Sequence, residues 1–280
     1  MKRSLFKQKR TKVNQVFTIA IFTTLSAISS VSCSKNENVL VTEIGVSQPS
    51  RSSATAFKGG EFYLQGKNQH LNGDLQAAIA SYGKAIAQNP QYGAAYNGRG
   101  LVYFDLGDKE KAIADYNQAL NINPNDAEAY NNRGNARASL GNNTEAVKDY
   151  SEAIRLNPNY AEAYNNRGNA RATLGERREA LDDFDQAILL NPKYAIAYNN
   201  RGNARAANGE PQGALEDYNQ AIRLNPNFGA AYNNRGNARA TNGDKQGALK
   251  DLQQAASIFQ SQGNNDLYEQ VMKNIKELGQ

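Results

Sequence analysis

Residues 129–137, Ala-Tyr-Asn-Asn-Arg-Gly-Asn-Ala-Arg, recur unchanged at 163–171, 197–205 and 231–239, each copy 34 residues after the last. A fixed step in this range marks stacked supersecondary units that bury their apolar faces against one another. Counting Gly59 as repeat position 1, six units begin at Gly59, Gly93, Ala127, Ala161, Ala195 and Gly229. Position 4 is aromatic in all six, from Phe62 to Tyr232, and position 8 is glycine, from Gly66 to Gly236. Position 15 is again glycine, positions 20 and 27 are alanine, and position 24 is Tyr82, Tyr116, Tyr150, Phe184, Tyr218 and Leu252.

Each mark has a physical cause. Positions 20, 24, 27 and 28 share one face of a helix, so the second half of every unit is an amphipathic helix. Glycine at position 15 ends the helix before it by taking the left-handed conformation. Asn-Pro at positions 31 and 32, present five times from Pro90 to Pro226, ends the second helix. Glycine within a helix costs about 1 kcal/mol relative to alanine. The six copies at position 8 therefore predict a close approach of the paired helix, with the alanines of positions 20 and 27 opposite. Positions 4 and 24 are expected to supply the core between repeats.

The pattern resembles the tetratricopeptide repeat (TPR), with its aromatic at position 4, small residues at 8, 20 and 27, aromatic at 24 and proline at 32. The run of Asn-Arg-Gly-Asn-Ala-Arg repeats is similar in style to bacterial, particularly cyanobacterial, members. The resemblance implies an all-α, right-handed solenoid of six helix-turn-helix units at 59–92, 93–126, 127–160, 161–194, 195–228 and 229–262. A capping helix is expected at 263–280, from a cap at Asn264-Asn265-Asp266 and apolar Leu267, Val271, Ile275 and Leu278 at helical spacing. Two positions depart from the family. Position 7, usually leucine, is arginine in units two to six. Position 11, usually tyrosine, is Tyr103 in unit two but Arg137, Arg171, Arg205 and Arg239 later.

The position-7 arginines accompany aspartate at position 23: Arg99 with Asp115, Arg133 with Asp149, Arg167 with Asp183, Arg201 with Asp217 and Arg235 with Asp251. Unit one lacks both, with Gln65 and Ser81. An ion pair between the two helices of each unit is predicted. The position-11 arginines have no consistent acidic companion in their own units. They either bridge neighbouring repeats, the favoured reading, or border the groove and attract acidic side chains.

In the family the first helices line a concave groove. The resemblance implies that Asn131, Asn132, Asn135 and their copies Asn165, Asn166, Asn169, Asn199, Asn200, Asn203, Asn233, Asn234 and Asn237 face it. Amides donate and accept at once, so such a ladder suits the backbone of an extended protein segment without strong charge. Chaperone-tail binding is disfavoured, because the basic partners of that TPR subgroup are missing at positions 2, 5 and 6. A polysaccharide or its biosynthesis complex is the alternative partner. By analogy with some relatives, the scaffold is expected to assist assembly of a membrane or envelope complex.

No cofactor, metal, nucleic acid or small-molecule substrate is expected. The chain carries a formal net charge of +5, with 32 basic and 27 acidic residues. Six of the basic residues (Lys2, Arg3, Lys7, Lys9, Arg10, Lys12) and no acid lie in residues 1–32, so the remainder has 26 basic against 27 acidic, a net −1. That leaves no basic surface for a phosphate backbone. The one histidine, His70, reads as a partly exposed helix residue, and the one cysteine, Cys33, lies outside the repeats. No Ser-His or Cys-His pair and no metal cluster can be assembled from that inventory, which argues against an enzyme.

Residues 1–32 read as a secretory signal, with a basic start, an apolar run from Val16 to Ile28 and small residues before Cys33. The arrangement resembles a bacterial lipoprotein signal, departing from it in Ser30 where leucine is usual. Cys33 is expected to carry the lipid, with residues 33–58 as a tether to an exported, membrane-anchored array. Cleavage without lipidation and an uncleaved anchor or transit peptide are the alternatives.

Overall fold

The computed structural model describes residues 59–279. Among them are thirteen α-helices and no strand. The first helices of the six units are α1 (Gly60–Leu71), α3 (Gly93–Asp105), α5 (Ala127–Ser139), α7 (Ala161–Leu174), α9 (Ala195–Ala207) and α11 (Gly229–Thr241). Their partners are α2 (Leu75–Gln88), α4 (Lys109–Ile122), α6 (Asn143–Leu156), α8 (Arg177–Leu190), α10 (Pro211–Leu224) and α12 (Lys245–Ser261), followed by α13 (Asn265–Leu278). The signal, tether and Cys33 expectations lie outside the described residues. No described helix is long and apolar enough to cross a membrane.

The punctuation acts as the residue types dictate. All six glycines at position 15 have φ between 80° and 86°, and the amide after each bonds back to close the helix, as Asn142 N does to Arg137 O at 2.9 Å. At the other end, Asn157, before Pro158, is extended at φ −132°. Its side chain accepts from Asn159 N at 3.2 Å, and its copies at Asn89, Asn123, Asn191 and Asn225 do the same. Unit six lacks the proline, so α12 runs to Ser261 and ends at Gly263, φ 69°.

The core is narrower than the aromatic pattern suggested. Position 24 is interior, with Tyr116, Tyr150, Phe184, Tyr218 and Leu252 at most 2% exposed, beside the wholly buried alanines of positions 20 and 27. Position 4, from Phe62 to Tyr232, is only half-buried. In units one to five the close approach at position 8 is to the ring of position 24 rather than to the alanines, and in unit six Gly236 faces Leu252 and the carbonyl of Ala248. A Cβ on Gly134 would sit 2.6 Å from Tyr150 Cε1, and one on Gly202 would sit 2.7 Å from Tyr218 Cε1.

Both ends of the stack depart from the repeat. Position 3 is buried alanine in units two to six and position 10 is buried in units two to five, but unit one carries Glu61 and Asn68 there, both exposed. At the far end α13 lays Leu267, Val271, Ile275 and Leu278 on the last hairpin, and the Asn264 side chain accepts from Leu267 N at 3.2 Å. Neighbouring first helices approach one another along the whole stack, as neighbouring second helices do not. The array therefore bends with its first helices on the inner side.

Two glycine substitutions separate the two roles of this residue. Gly134→Ala drives a methyl into the Tyr150 ring and should cost about 1–3 kcal/mol. Gly141→Ala meets open space at φ +83° and should cost only about 1 kcal/mol, the strain of left-handed backbone. Urea midpoints of the two variants check the order.

Candidate functional site

The position-7 and position-23 side chains meet in every unit that has them. Arg133 donates Nε and Nη2 to Asp149 at 3.0 and 2.7 Å, and Arg99–Asp115, Arg167–Asp183, Arg201–Asp217 and Arg235–Asp251 repeat the bidentate fork. The aspartates are 2–6% exposed. Each guanidinium also stands 5.3–5.7 Å from the centroid of its own position-4 tyrosine, which half-covers that ring.

The position-11 arginines correct an expectation. Arg137, Arg171, Arg205 and Arg239 neither bridge repeats nor stand free at the groove: each donates Nη1 to the aspartate of its own unit, at 2.7–2.9 Å. One carboxylate thus serves two arginines, so its sequence partner was already spoken for and the second pairing was not visible. The bridging role belongs to position 7. Arg133, Arg167, Arg201 and Arg235 donate Nη1 to position 25 of the preceding unit, namely Asn117, Ser151, Asp185 and Asn219. Position 25 of unit one is Gly83, and Arg99 meets no side chain there.

The asparagines divide into three groups. At position 5, Asn97, Asn131, Asn165 and Asn199 are buried, Asn199 completely. At position 6, Nδ2 of Asn132, Asn166, Asn200 and Asn234 donates to Oδ1 of Asn97, Asn131, Asn165 and Asn199, at 3.0–3.1 Å and always 35 residues back. The amides at these two positions are therefore spent largely on each other, rung by rung between repeats. The ladder stops at Asn233, whose buried Oδ1 has no partner. Thirty-five residues on stands Tyr268 of the capping helix.

Position 9 is the third group. Asn135 accepts from the Tyr150 hydroxyl at 2.8 Å and from Asn166, and Asn203 accepts from the Tyr218 hydroxyl at 2.9 Å. Asn169 and Asn237, whose units carry Phe184 and Leu252 instead of tyrosine, keep their side-chain amides unpaired among the described residues. In unit two position 9 is Leu101, and the Tyr116 hydroxyl is left buried without a partner.

His70 Nε2 lies 2.7 Å from Asp105 Oδ2, linking units one and two. Of the paired carboxylates, Asp183 and Asp217 are the buried arginine partners, while Asp182 and Glu216 are exposed. No group of three His, Cys, Asp or Glu side chains among the described residues is placed to hold a metal ion.

Family models described as TPR repeat and tetratricopeptide repeat match residues 66–175 and 161–228. Together they cover more than half of the chain, which belongs to the tetratricopeptide repeat family. No curated protein sequence matches it. Among solved structures, MamA is 29% identical over 59% of this chain and 96% of its own, with a TM-score of 0.52. A tetratricopeptide repeat protein from Parabacteroides merdae is 24% identical over 78% and 86%, with a TM-score of 0.63. YrrB, described as a TPR protein with an unusual peptide-binding site, is 24% identical over 69% and 97%, with a TM-score of 0.51. The last two show likeness of fold.

Removing the shared carboxylate leaves two partly buried guanidiniums facing each other, so Asp183→Asn should cost about 3–5 kcal/mol. The neighbouring exposed Asp182→Asn should cost under about 0.5 kcal/mol. A double-mutant cycle on Arg171 and Asp183 that gives no coupling energy is the result against it. The tyrosines offer a second contrast. Tyr150→Phe gives up a hydrogen bond worth about 0.5–1.5 kcal/mol, whereas Tyr116→Phe removes an unpaired buried hydroxyl and should be neutral or stabilising. Denaturant titration of the two variants reads the difference.

Proposed function

We propose that the protein is a membrane-tethered scaffold that receives extended protein segments on the inner, first-helix face of its array, in support of assembling a membrane or envelope complex. One observation carries the reading. On that face the position-9 amides of Asn169 and Asn237 keep unpaired donors and acceptors, beside the small side chains Ala172 and Ala240 at position 12. An unpaired amide next to a small residue offers an extended backbone two hydrogen bonds and room to approach. YrrB, a protein of the same fold with a peptide-binding site, accords with this reading. Attachment rests on Cys33 following a secretory signal. A single acyl chain holds a protein only marginally, so a stable anchor would take the several chains of a mature lipoprotein.

The test joins the two halves. Full-length chain should pellet with membranes from its own cells and capture a protein partner identified by mass spectrometry. Cys33→Ser should move to the supernatant yet still capture that partner. Asn169→Ala with Asn237→Ala should stay in the membrane and lose it by about tenfold in affinity, the loss of one or two hydrogen bonds. A Cys33→Ser protein that pellets like the parent removes the tether, and unchanged capture by the asparagine variant removes the amide site.

A further inference from the structure

Each junction between successive units from two to six is closed by the same pair of polar bonds. The position-7 arginine donates Nη1 to position 25 of the unit before it. The position-6 asparagine donates Nδ2 to the position-5 asparagine of that unit. The junction between units one and two has neither bond. Arg99 there faces Gly83, where a Cβ would stand 4.0 Å from its Nη1. Position 6 of unit two is Gly98 and position 5 of unit one is Tyr63, so neither half of the amide bond is present. Gly98 admits no side chain in any case, because a Cβ there would sit 2.7 Å from Tyr82 Cζ.

Unit one also lacks the clamp between its own helices. Where later units hold a buried aspartate under arginine, Ser81 donates to Gln69 at 2.7 Å, a neutral bond. What joins unit one to unit two is apolar packing and one surface pair. Tyr82, Ala85, Ala95 and Val102 are buried together, with Tyr63 packed against them at 5.8 Å from the Tyr82 ring centroid. His70 Nε2 lies 2.7 Å from Asp105 Oδ2, but the two side chains are 22% and 43% exposed, and a pair so open to water adds little. Apolar contact has no fixed direction. The later junctions add directional bonds from a guanidinium and between amides, which are lost outright if the units part.

We propose that unit one is a hinged end of the array: α1 and α2 swing away from α3 as one piece and reclose, while units two to six stay shut. Open, the hinge bares Ala95 and Val102, wholly buried residues of α3 that α2 otherwise covers. The array thus holds in reserve an apolar face that it presents only part of the time. Regions of a native protein open separately where the contacts binding them are fewest, and the missing bonds place that weak point at the first junction.

Hydrogen exchange of the full chain, read by mass spectrometry, tests the hinge. Amides of α1 and α2 should exchange together and about tenfold faster than those of α3 to α10, the worth of the two missing bonds. Protection of α1 and α2 equal to that of α3 and α4 overturns the proposal. So does rapid exchange confined to α1, which is one helix fraying rather than a junction opening. Thiol labelling gives a second reading, in a Cys33→Ser background that removes the one native cysteine. Val102 and Ala136 occupy position 10 of units two and three, and both are wholly buried. Val102→Cys should react about tenfold faster than Ala136→Cys, and equal rates count against the hinge. The cause is tested at Gly83. Gly83→Asn copies Asn117, the partner of Arg133, and should slow exchange of α1 and α2 by about fivefold. Gly83→Val, of similar helix propensity but with no acceptor for Arg99, should slow it by about twofold. Equal slowing by the two variants removes the missing bridge as the cause and overturns the proposal.

Discussion

The structure turns on one buried carboxylate in each of units three to six that two arginines share. In units three to six the aspartate at position 23 accepts a bidentate fork from position 7 and a third bond from position 11. Burying such a group without partners would cost several kcal/mol, and the attraction offsets that only when its lone pairs are filled. Two guanidiniums fill them and pin both helices of the hairpin at once. The position-7 stem and fork also cover the face of the tyrosine at position 4 and reach the preceding unit through Nη1. Where the family usually places a leucine, this chain thus obtains packing, an intra-unit clamp and an inter-unit bridge from one residue.

The asparagine ladder adds continuity between units. A solenoid is stabilised by its units and by the interfaces between nearest neighbours. Here each interface from unit two onward carries an amide bond from position 6 back to position 5. Buried amides left unpaired would be costly, so the ladder fixes register: a unit set out of place would orphan several of them. At Asn233 the series meets the capping helix and leaves one acceptor unpaired.

These two devices also decide which side chains of the first helices stay unpaired. Side chains that look alike in sequence have opposite fates, since Asn165 holds two repeats together while Asn169, four residues on, stays unpaired. The arginines, the most conspicuous charges of the repeat, are neutralised within it. Of the side chains at position 2, only Glu128 and Glu162 are charged, and both are exposed.

The sequence by itself determined the period, the helical hairpin, its stops and the position-7 to position-23 pair, because each depends on contacts within one unit that recur at fixed spacing. The capping helix was legible for the same reason, through Asn264 and the apolar stripe of α13. What only the tertiary structure decided lies between units or in competition for one partner. The position-6 to position-5 bond spans 35 residues, one more than the period, and follows from how one first helix lies against the next. The second claim on each aspartate by position 11 could not be read, because a pattern pairs one acid with one base and cannot count lone pairs. Nor could the half-burial of position 4 against the full burial of position 24. Both are aromatic, and only the side facing the paired helix, where Gly134 meets Tyr150, closes completely to water.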